Sequence, residues 1–443
     1  MSGPRGAGRR SRGVRRPRGA RRTGRAAAAA LAAGCLLAAC TGGDADPTGS
    51  ATPGTPTSTT AGADISGSEH PTASGSTSGA PSTGSTATGS TTSSDDPTAQ
   101  CVADLISGMT PRQRAGQLLM VGLSSEAGQG GVDEVVTTYG LGGVIYLGHW
   151  SGHDTVAATS AHLQGLTKGP DLLIAADQEG GQVQQLTGSG FTTIPDAATQ
   201  AGLSPNALRD KAHGWGQELA SAGVNLNLAP VADTVPASIG TANGPIGQFH
   251  REYGATPDTV IPPMTAFLAG MHDAGVMATV KHFPGIGRIT GNTDTTAFGI
   301  EDSAATTDDP HLQPFRAGIE AGADLVMVSS ARYPKLAKEQ AAFAPEIVTG
   351  LLREQLGFTG VVITDDVGAA AAVQSIPVGE RATRFLAAGG DMVLTALASD
   401  IPVMVKALTK AAETDEAAAS RMHIALRRVL TLKTAHGLTG CAE

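Results

Sequence analysis

Eight short apolar runs recur between positions 117 and 396, and longer amphipathic segments separate them. The runs span 117–123, 143–147, 172–176, 224–229, 276–280, 325–328, 360–364 and 392–396. Segments such as 206–222, 264–274, 312–321 and 382–388 carry the apolar spacing of helices. Strands alternating with helices indicate parallel βα units, and eight of them predict an α/β chain folded as a single (β/α)8 TIM-type barrel. An open doubly wound sheet is the alternative, but no glycine-rich dinucleotide fingerprint follows these runs.

The first 40 residues are typical of an export signal. Residues 1–25 hold ten Arg and no acidic residue, and an Ala/Leu run follows up to position 39. This run is too short to span a bilayer comfortably. Its end, Leu-Ala-Ala-Cys, resembles a bacterial lipobox, which implies lipidation of Cys40 and anchoring on the extracytoplasmic face of the cell membrane. A plain secretory signal with a chance Cys is the alternative.

Residues 41–98 consist almost wholly of Ser, Thr, Gly, Ala, Pro and Asp. Such a segment has too little apolar surface to offset its ordering entropy, so we expect a disordered linker. Without the ten N-terminal Arg, 21 of the 31 basic residues remain against 40 acidic ones, a net charge of −19. This charge argues against nucleic acid or anionic lipid as a partner. We expect membrane contact through acyl chains alone, and a monomer.

Two of the four cysteines remain once the signal is removed and Cys40 is lipidated. Cys101 and Cys441 stand at the two ends of the folded part, in an oxidising compartment. Because the ends of a closed barrel meet in space, we expect a disulfide between them, with two free thiols as the alternative. The chain-entropy model gives such a bond roughly 4–5 kcal/mol.

Polar residues collect where the predicted strands end. They occupy 177–181 after the third strand, 230–233 after the fourth, 281–282 at the fifth and 365–366 at the seventh. In a barrel these strand ends open on one face, where active sites lie. Strand alternation would direct Lys281 and His282 oppositely, so a pocket that both share requires a bulge or bend.

Several segments resemble glycoside hydrolase family 3. They are Leu-Leu-Arg-Glu-Gln at 351–355 with Gly-Val-Val-Ile-Thr-Asp at 360–365, Lys-His-Phe-Pro-Gly-Ile-Gly at 281–287, and Ala-Asp-Gln-Glu-Gly-Gly-Gln at 176–182. The resemblance covers 101–443 and implies a catalytic domain there. It also implies that Asp365 is the nucleophile, which forms a glycosyl-enzyme intermediate and gives net retention. Asp366 is interpreted as structural.

The resemblance further implies four substrate-binding residues. These are Asp177, Arg251 (in Arg-Glu-Tyr-Gly-Ala-Thr-Pro), Lys281 and His282, all expected to bind sugar hydroxyls. Glu179 is interpreted as structural, and Gln182 stands where the family usually has Arg.

The acid/base is where the sequence departs from the family. In the N-acetylglucosaminidase branch the corresponding loop reads Gly-His-Gly, four residues, then Asp-Ser-His, and that His donates the proton. Here Gly-Ile-Gly stands at 285–287, and ungapped counting places Asn-Thr-Asp, 292–294, on Asp-Ser-His. Asp294 is therefore the candidate acid/base, provided that its pKa is raised. A two-residue insertion would instead place Thr296 on the His, and Thr cannot perform that role.

The resemblance thus implies a retaining exo-glycosidase, β-N-acetylhexosaminidase-like, that hydrolyses terminal β-linked N-acetylglucosamine from cell-wall-derived glycans. Two Trp and four Tyr leave few stacking platforms, which favours a small exo-acting pocket. A β-glucosidase-type exo-glycosidase and a non-catalytic sugar-binding lipoprotein are the alternatives. No cofactor is expected, and because no His, Cys and carboxylate cluster has metal-ligand spacing, no metal is predicted.

Overall fold

The computed structural model describes residues 97–441. The predicted signal peptide, Cys40 and the linker up to residue 96 lie outside the described residues. The first helix begins at Pro97, so it includes the last two residues of the expected linker.

Eight parallel strands form the centre of the molecule, one for each predicted run. They are β1 Leu119–Ser124, β2 Gly143–Leu147, β3 Leu173–Ala176, β4 Leu226–Asn227, β5 Met277–Phe283, β6 Leu325–Val328, β7 Val361–Thr364 and β8 Val393–Thr395. Consecutive strands pair from β1 to β7, and β8 pairs with β1. A parallel bridge between Ile363 and Met392 joins β7 to β8, so the sheet closes into the predicted barrel.

Helices surround the sheet, and most of them follow a strand. The α-helices are α1 Pro97–Gly108, α2 Pro111–Gly116, α3 Asp133–Tyr139, α4 His153–Gly165, α5 Ala197–Ala201, α6 Pro205–Ser221, α7 Pro257–Asp273, α8 Gln313–Glu320, α9 Val378–Ala388, α10 Ile401–Thr414 and α11 Glu416–Ala435. A π-helix, Glu346–Gln355, precedes β7. The four helices predicted from sequence correspond to α6, α7, α8 and α9. None of the described helices is long and apolar enough to cross a membrane.

Local sequence signals set several helix ends. Thr110 caps α2 in a capping box with Gln113. The Asp415 carboxylate accepts N–H bonds from the first turn of α11. These caps satisfy backbone donors that would otherwise lack partners, so the outer helices start at defined positions.

The core lies inside the barrel and between the barrel and its helices. Nearly every strand side chain is buried, which explains why the strands read as continuous apolar runs rather than alternating ones. At the ends of the domain, α1 packs against α11, and Cys101 forms a disulfide with Cys441 across 340 residues of sequence. The predicted disulfide is therefore confirmed.

Candidate active site

The carboxyl ends of the barrel strands bring the predicted site residues to one face. Asp177 follows β3, Lys281 and His282 lie in the last part of β5, and Asp365 follows β7. Arg251 comes from the long connection between β4 and α7. The loop after β5 carries Asp294.

A cross-linked ionic cluster forms one wall of this site. Lys281 Nζ lies 2.6 Å from Asp177 Oδ1 and 2.6 Å from Glu179 Oε1. Arg251 binds Glu179 in a bidentate manner, with Nε 2.9 Å from Oε2 and Nη2 2.7 Å from Oε1. The Lys281 side chain is only 2% exposed, so its charge depends on these partners. The wall is thus rigid before any sugar binds.

Charges within this wall are matched. Burial alone would raise the pKa of Glu179, but Arg251 and Lys281 outweigh it and lower that pKa to about 2. Burial opposes the charge of Lys281, yet Asp177 and Glu179 raise its pKa. Glu179 and Lys281 are therefore both ionised at neutral pH.

His282 is held as a neutral ring beside this wall. Its Nδ1 lies 2.7 Å from Asp233 Oδ2, and Arg251 Nη2 lies 3.4 Å from its Nε2. Burial, together with the positive charges of Arg251 and Lys281, lowers its pKa well below the usual value. Burial also raises the pKa of Asp233, to about 7. The N–H group that Ile286 donates to this carboxyl lowers the pKa, but by less than burial raises it. Nε2 therefore carries a lone pair, and Arg251 can donate to it.

An irregularity at the end of β5 lets Lys281 and His282 serve one pocket. The register between β5 and β6 shifts between Val326 and Val328, and the Lys281–His282 peptide is cis. The sequence-based expectation of a bulge or bend is confirmed.

The turn after β5 requires its two glycines. Gly285 has φ +121°, and a Cβ on Gly287 would lie 1.9 Å from the carbonyl oxygen of Thr234. Between them Ile286 is buried, and its N–H group donates to Asp233 Oδ1 at 2.7 Å. The residue that replaces the family's histidine in this turn therefore fills the core beneath the site.

Asp365 and Asp366 occupy different environments although they are adjacent. Asp366 accepts hydrogen bonds from three backbone N–H groups, those of Gly368, Ala369 and Ala396, at 2.8–2.9 Å. This agrees with its interpretation as structural. Asp365 Oδ1 accepts only the N–H of Asp366, at 2.9 Å, and within residues 97–441 its carboxylate has no ion pair. Burial, and then the nearby Asp294, raise its pKa.

Asp294 lies on the loop that follows β5 and faces the same site. The side chain of Asn292 accepts the N–H of Asp294 at 2.9 Å, and Ala371 and Ala372 donate N–H groups to the carbonyl oxygens of Asp294 and Thr293. Asp294 is exposed to solvent. Desolvation by the neighbouring protein, and then the charge of Asp366, raise its pKa.

Asp294 and Asp365 lie within electrostatic reach of each other. Each carboxylate disfavours ionisation of the other, so together they retain one proton over a wide range of pH. The alternative alignment would make Thr296 the catalytic residue, but its hydroxyl accepts the N–H of Phe298 at 3.0 Å. The assignment of Asp294 from the ungapped alignment stays a prediction.

Two further residues of the site have no catalytic or substrate-binding role in the sequence analysis, where Glu179 is interpreted as structural. Asp233 orients His282, and Glu179 is the carboxylate that Lys281 and Arg251 share. Position at a strand end marked both residues, but only the structure shows their partners. Gln182, in place of the family's Arg, makes a long 3.5 Å contact with the backbone of Phe249. Among the described residues, no group of three His, Cys, Asp or Glu side chains could hold a metal ion.

Comparison with known proteins agrees with this arrangement. Residues 110–432 match the model of the glycosyl hydrolase family 3 N-terminal domain. A beta-hexosaminidase of Stenotrophomonas maltophilia is 34% identical over 261 residues, which are 57% of this chain and 75% of that protein.

The chain is also similar to proteins of solved structure. A beta-N-acetylhexosaminidase from Beutenbergia cavernae is 45% identical with a TM-score of 0.71, and the match covers 74% of this chain and 99% of that one. A glycoside hydrolase family 3 beta-N-acetylglucosaminidase from a Paenibacillus species is 31% identical with a TM-score of 0.65, covering 76% of this chain and 64% of that one.

Proposed function

The chain belongs to glycosyl hydrolase family 3, and from this premise we propose that it is a retaining exo-glycosidase releasing terminal β-linked N-acetylglucosamine. The observation that carries the proposal is the unpaired carboxyl couple, Asp365 and Asp294, opposite a charge-matched polar wall. Such a pair is what double displacement at an anomeric carbon requires.

In the proposed mechanism the wall holds the terminal sugar. The carboxylate of Asp177 accepts hydrogen bonds from adjacent hydroxyls, Arg251 and Lys281 supply donors, and the lone pair on His282 Nε2 is a further acceptor. Because these side chains already bind one another, little ordering entropy is lost when the sugar enters. Binding in this way brings the anomeric carbon to Asp365.

The shared proton then separates the roles of the two carboxyls. Asp365, ionised and hydrogen-bonded by one N–H group, attacks the anomeric carbon, and Asp294 gives its proton to the leaving oxygen. In the second step Asp294, now ionised, takes a proton from water, which displaces Asp365 from the sugar. Solvent access to Asp294 suits this step, because the water must reach it.

The choice of N-acetylglucosamine rests on relatives named beta-hexosaminidase and beta-N-acetylglucosaminidase. We place the substrate among cell-wall-derived glycans and the enzyme outside the cytoplasm, anchored through a lipid on Cys40. The basic, apolar and small-residue order of the first 40 residues supports this location.

A comparison of two nitrophenyl glycosides tests the proposal. We expect release from nitrophenyl β-N-acetylglucosaminide and little from the β-glucoside, with loss of activity in Asp365→Ala. Release from the glucoside alone would support the β-glucosidase alternative. Binding of N-acetylglucosamine without turnover of either compound would support a non-catalytic sugar-binding protein.

A further inference from the structure

One aromatic side chain of the described domain is exposed. Phe298 is 85% exposed, whereas every other Phe, Tyr and Trp between residues 97 and 441 is buried or half-buried. The chain has only 15 aromatic residues, all within that range, and Phe298 is the one among them that is exposed to solvent. The fold gives no reason for this, because an exposed Phe contributes nothing to the core.

Phe298 is held in place although it is exposed. Its N–H group donates to Thr296 Oγ1 at 3.0 Å. The next residue, Gly299, accepts N–H groups from Thr290 and Gly291 at 3.1 and 2.8 Å, which closes the loop into a narrow hairpin. A ring on such a base is oriented before any ligand arrives.

The loop that holds Phe298 also holds the proposed proton donor. Phe298 is only four positions after Asp294, and the turn at Asn292, whose carbonyl oxygen accepts N–H groups from Thr295 and Thr296, shortens the path. Fully extended chain over four residues spans at most about 14 Å. Phe298 therefore lies within that distance of the residue proposed to protonate the leaving group.

The residues of the polar wall come from other parts of the barrel. Asp177, Glu179, Arg251 and Lys281 are cross-linked by ion pairs and present charged groups to the terminal sugar. An apolar ring face is suited to the C–H face of a pyranose rather than to its hydroxyl edge.

We propose that Phe298 is a specificity-determining residue, the platform on which the leaving-group sugar stacks. The inference rests on the proposed function and deepens it, because it assigns the aglycone to the class of pyranosides with a flat apolar face. It does not concern the terminal sugar, whose contacts lie on the other wall.

Two substrates distinguish a loss of leaving-group stacking from a loss of catalysis. Diacetylchitobiose has a sugar as leaving group, and N-acetylglucosaminyl fluoride has a single atom. In Phe298→Ala, kcat/KM for the disaccharide should fall about three- to tenfold, the range of one aromatic contact, while kcat/KM for the fluoride stays within twofold. Phe298→Tyr should retain the disaccharide rate, and Phe298→Leu should not.

Ile424→Ala on α11 is the matched control, because it also truncates an exposed apolar side chain, 37% exposed, and should change neither rate. Equal losses on both substrates, no loss on either, or a loss accompanied by a change of oligomeric mass would overturn the proposal. If the wild type cleaved neither substrate, the proposed function would fail instead, so the two failures are distinguishable.

Discussion

The two walls of the site shift the pKa values of carboxyl groups in opposite directions. We call the polar wall of Asp177, Glu179, Arg251 and Lys281 the binding wall, and Asp365 with Asp294 the catalytic wall. On the binding wall, Asp177 and Glu179 contact the cations Lys281 and Arg251, and the pKa of Glu179 falls to about 2. On the catalytic wall, Asp365 and Asp294 have no ion pair within the described domain, and their pKa values rise. Glu179 and Lys281, on the proposed sugar-binding side, are held as ions, while the two carboxyls proposed to be catalytic are harder to ionise.

The largest effect should come from removing the nucleophile. Asp365→Asn should lower kcat by about 10⁴-fold or more, because the amide cannot form the glycosyl-enzyme ester. Steady-state kinetics on nitrophenyl β-N-acetylglucosaminide measures this. Asp308→Asn, the same change at an exposed carboxylate, is the control and should retain activity. Retention of activity in Asp365→Asn would refute the assignment of the catalytic wall.

The shared proton predicts a specific change in pH dependence. The wild type should show a bell-shaped profile of kcat/KM, whose alkaline limb is loss of the proton from the Asp294–Asp365 pair. In Asp294→Ala the alkaline limb should disappear. The midpoint of the acid limb should shift by less than about half a pH unit. That limb is the first ionisation of the pair, in which Asp294 is still protonated and does not repel the new charge on Asp365. An unchanged alkaline limb would show that another group donates the proton.

Loss of an ion pair in the binding wall should lower the free energy of unfolding more than it changes the catalytic rate. Glu179→Gln leaves Arg251 and Lys281 short of one buried counter-charge, and we expect a loss of about 3–5 kcal/mol in the free energy of unfolding. Urea denaturation measures it.

The pH dependence of that loss has a defined sign. Because folding lowers the pKa of Glu179 from about 4.5 to about 2, its contribution is complete above pH 4.5 and disappears as the pH falls through 2. The stability difference between wild type and Glu179→Gln should therefore be constant near neutrality and shrink in acid. A difference that grows in acid would contradict the ion-pair account.

The smallest effect concerns the position of the acid. Asn292→Ala removes the acceptor for the Asp294 N–H group, one hydrogen bond. We expect kcat/KM on diacetylchitobiose to fall about three- to tenfold, with the alkaline limb of the pH profile retained, since the acid is still present. Loss of that limb would mean that Asn292 is more than a positioning residue.

The fold was predictable because barrel strands are buried on both faces. Each of the eight apolar runs became a strand, and the ends of the domain met closely enough for Cys101 and Cys441 to bond. Apolar run length and spacing carry that information directly. The short strand β4 is the weakest match, two residues where the sequence suggests six, since only Leu226 and Asn227 pair on both sides.

The sequence indicated which residues belong to the site better than it indicated which of them contact one another. Strand-end position indicated Asp177, Lys281, His282 and Asp365, but not that Glu179 joins Lys281 to Arg251. That contact joins a residue of strand β5 to residues from two separate connections, and their distances depend on loop geometry that no local pattern encodes. The same holds for the pKa of Asp294, because it depends on Asp365 and Asp366, some 70 residues away in sequence.

The most direct test of the account is the dependence of rate on the leaving group. Wild type and Asp294→Ala would be compared on aryl β-N-acetylglucosaminides whose phenols span pKa values from about 4 to about 10. The account predicts a shallow dependence for wild type and a steep one for the variant, with near-normal rates on the most acidic phenol and losses of about 10²–10⁴-fold on the least acidic. Parallel dependences would contradict the claim that Asp294 is the proton donor.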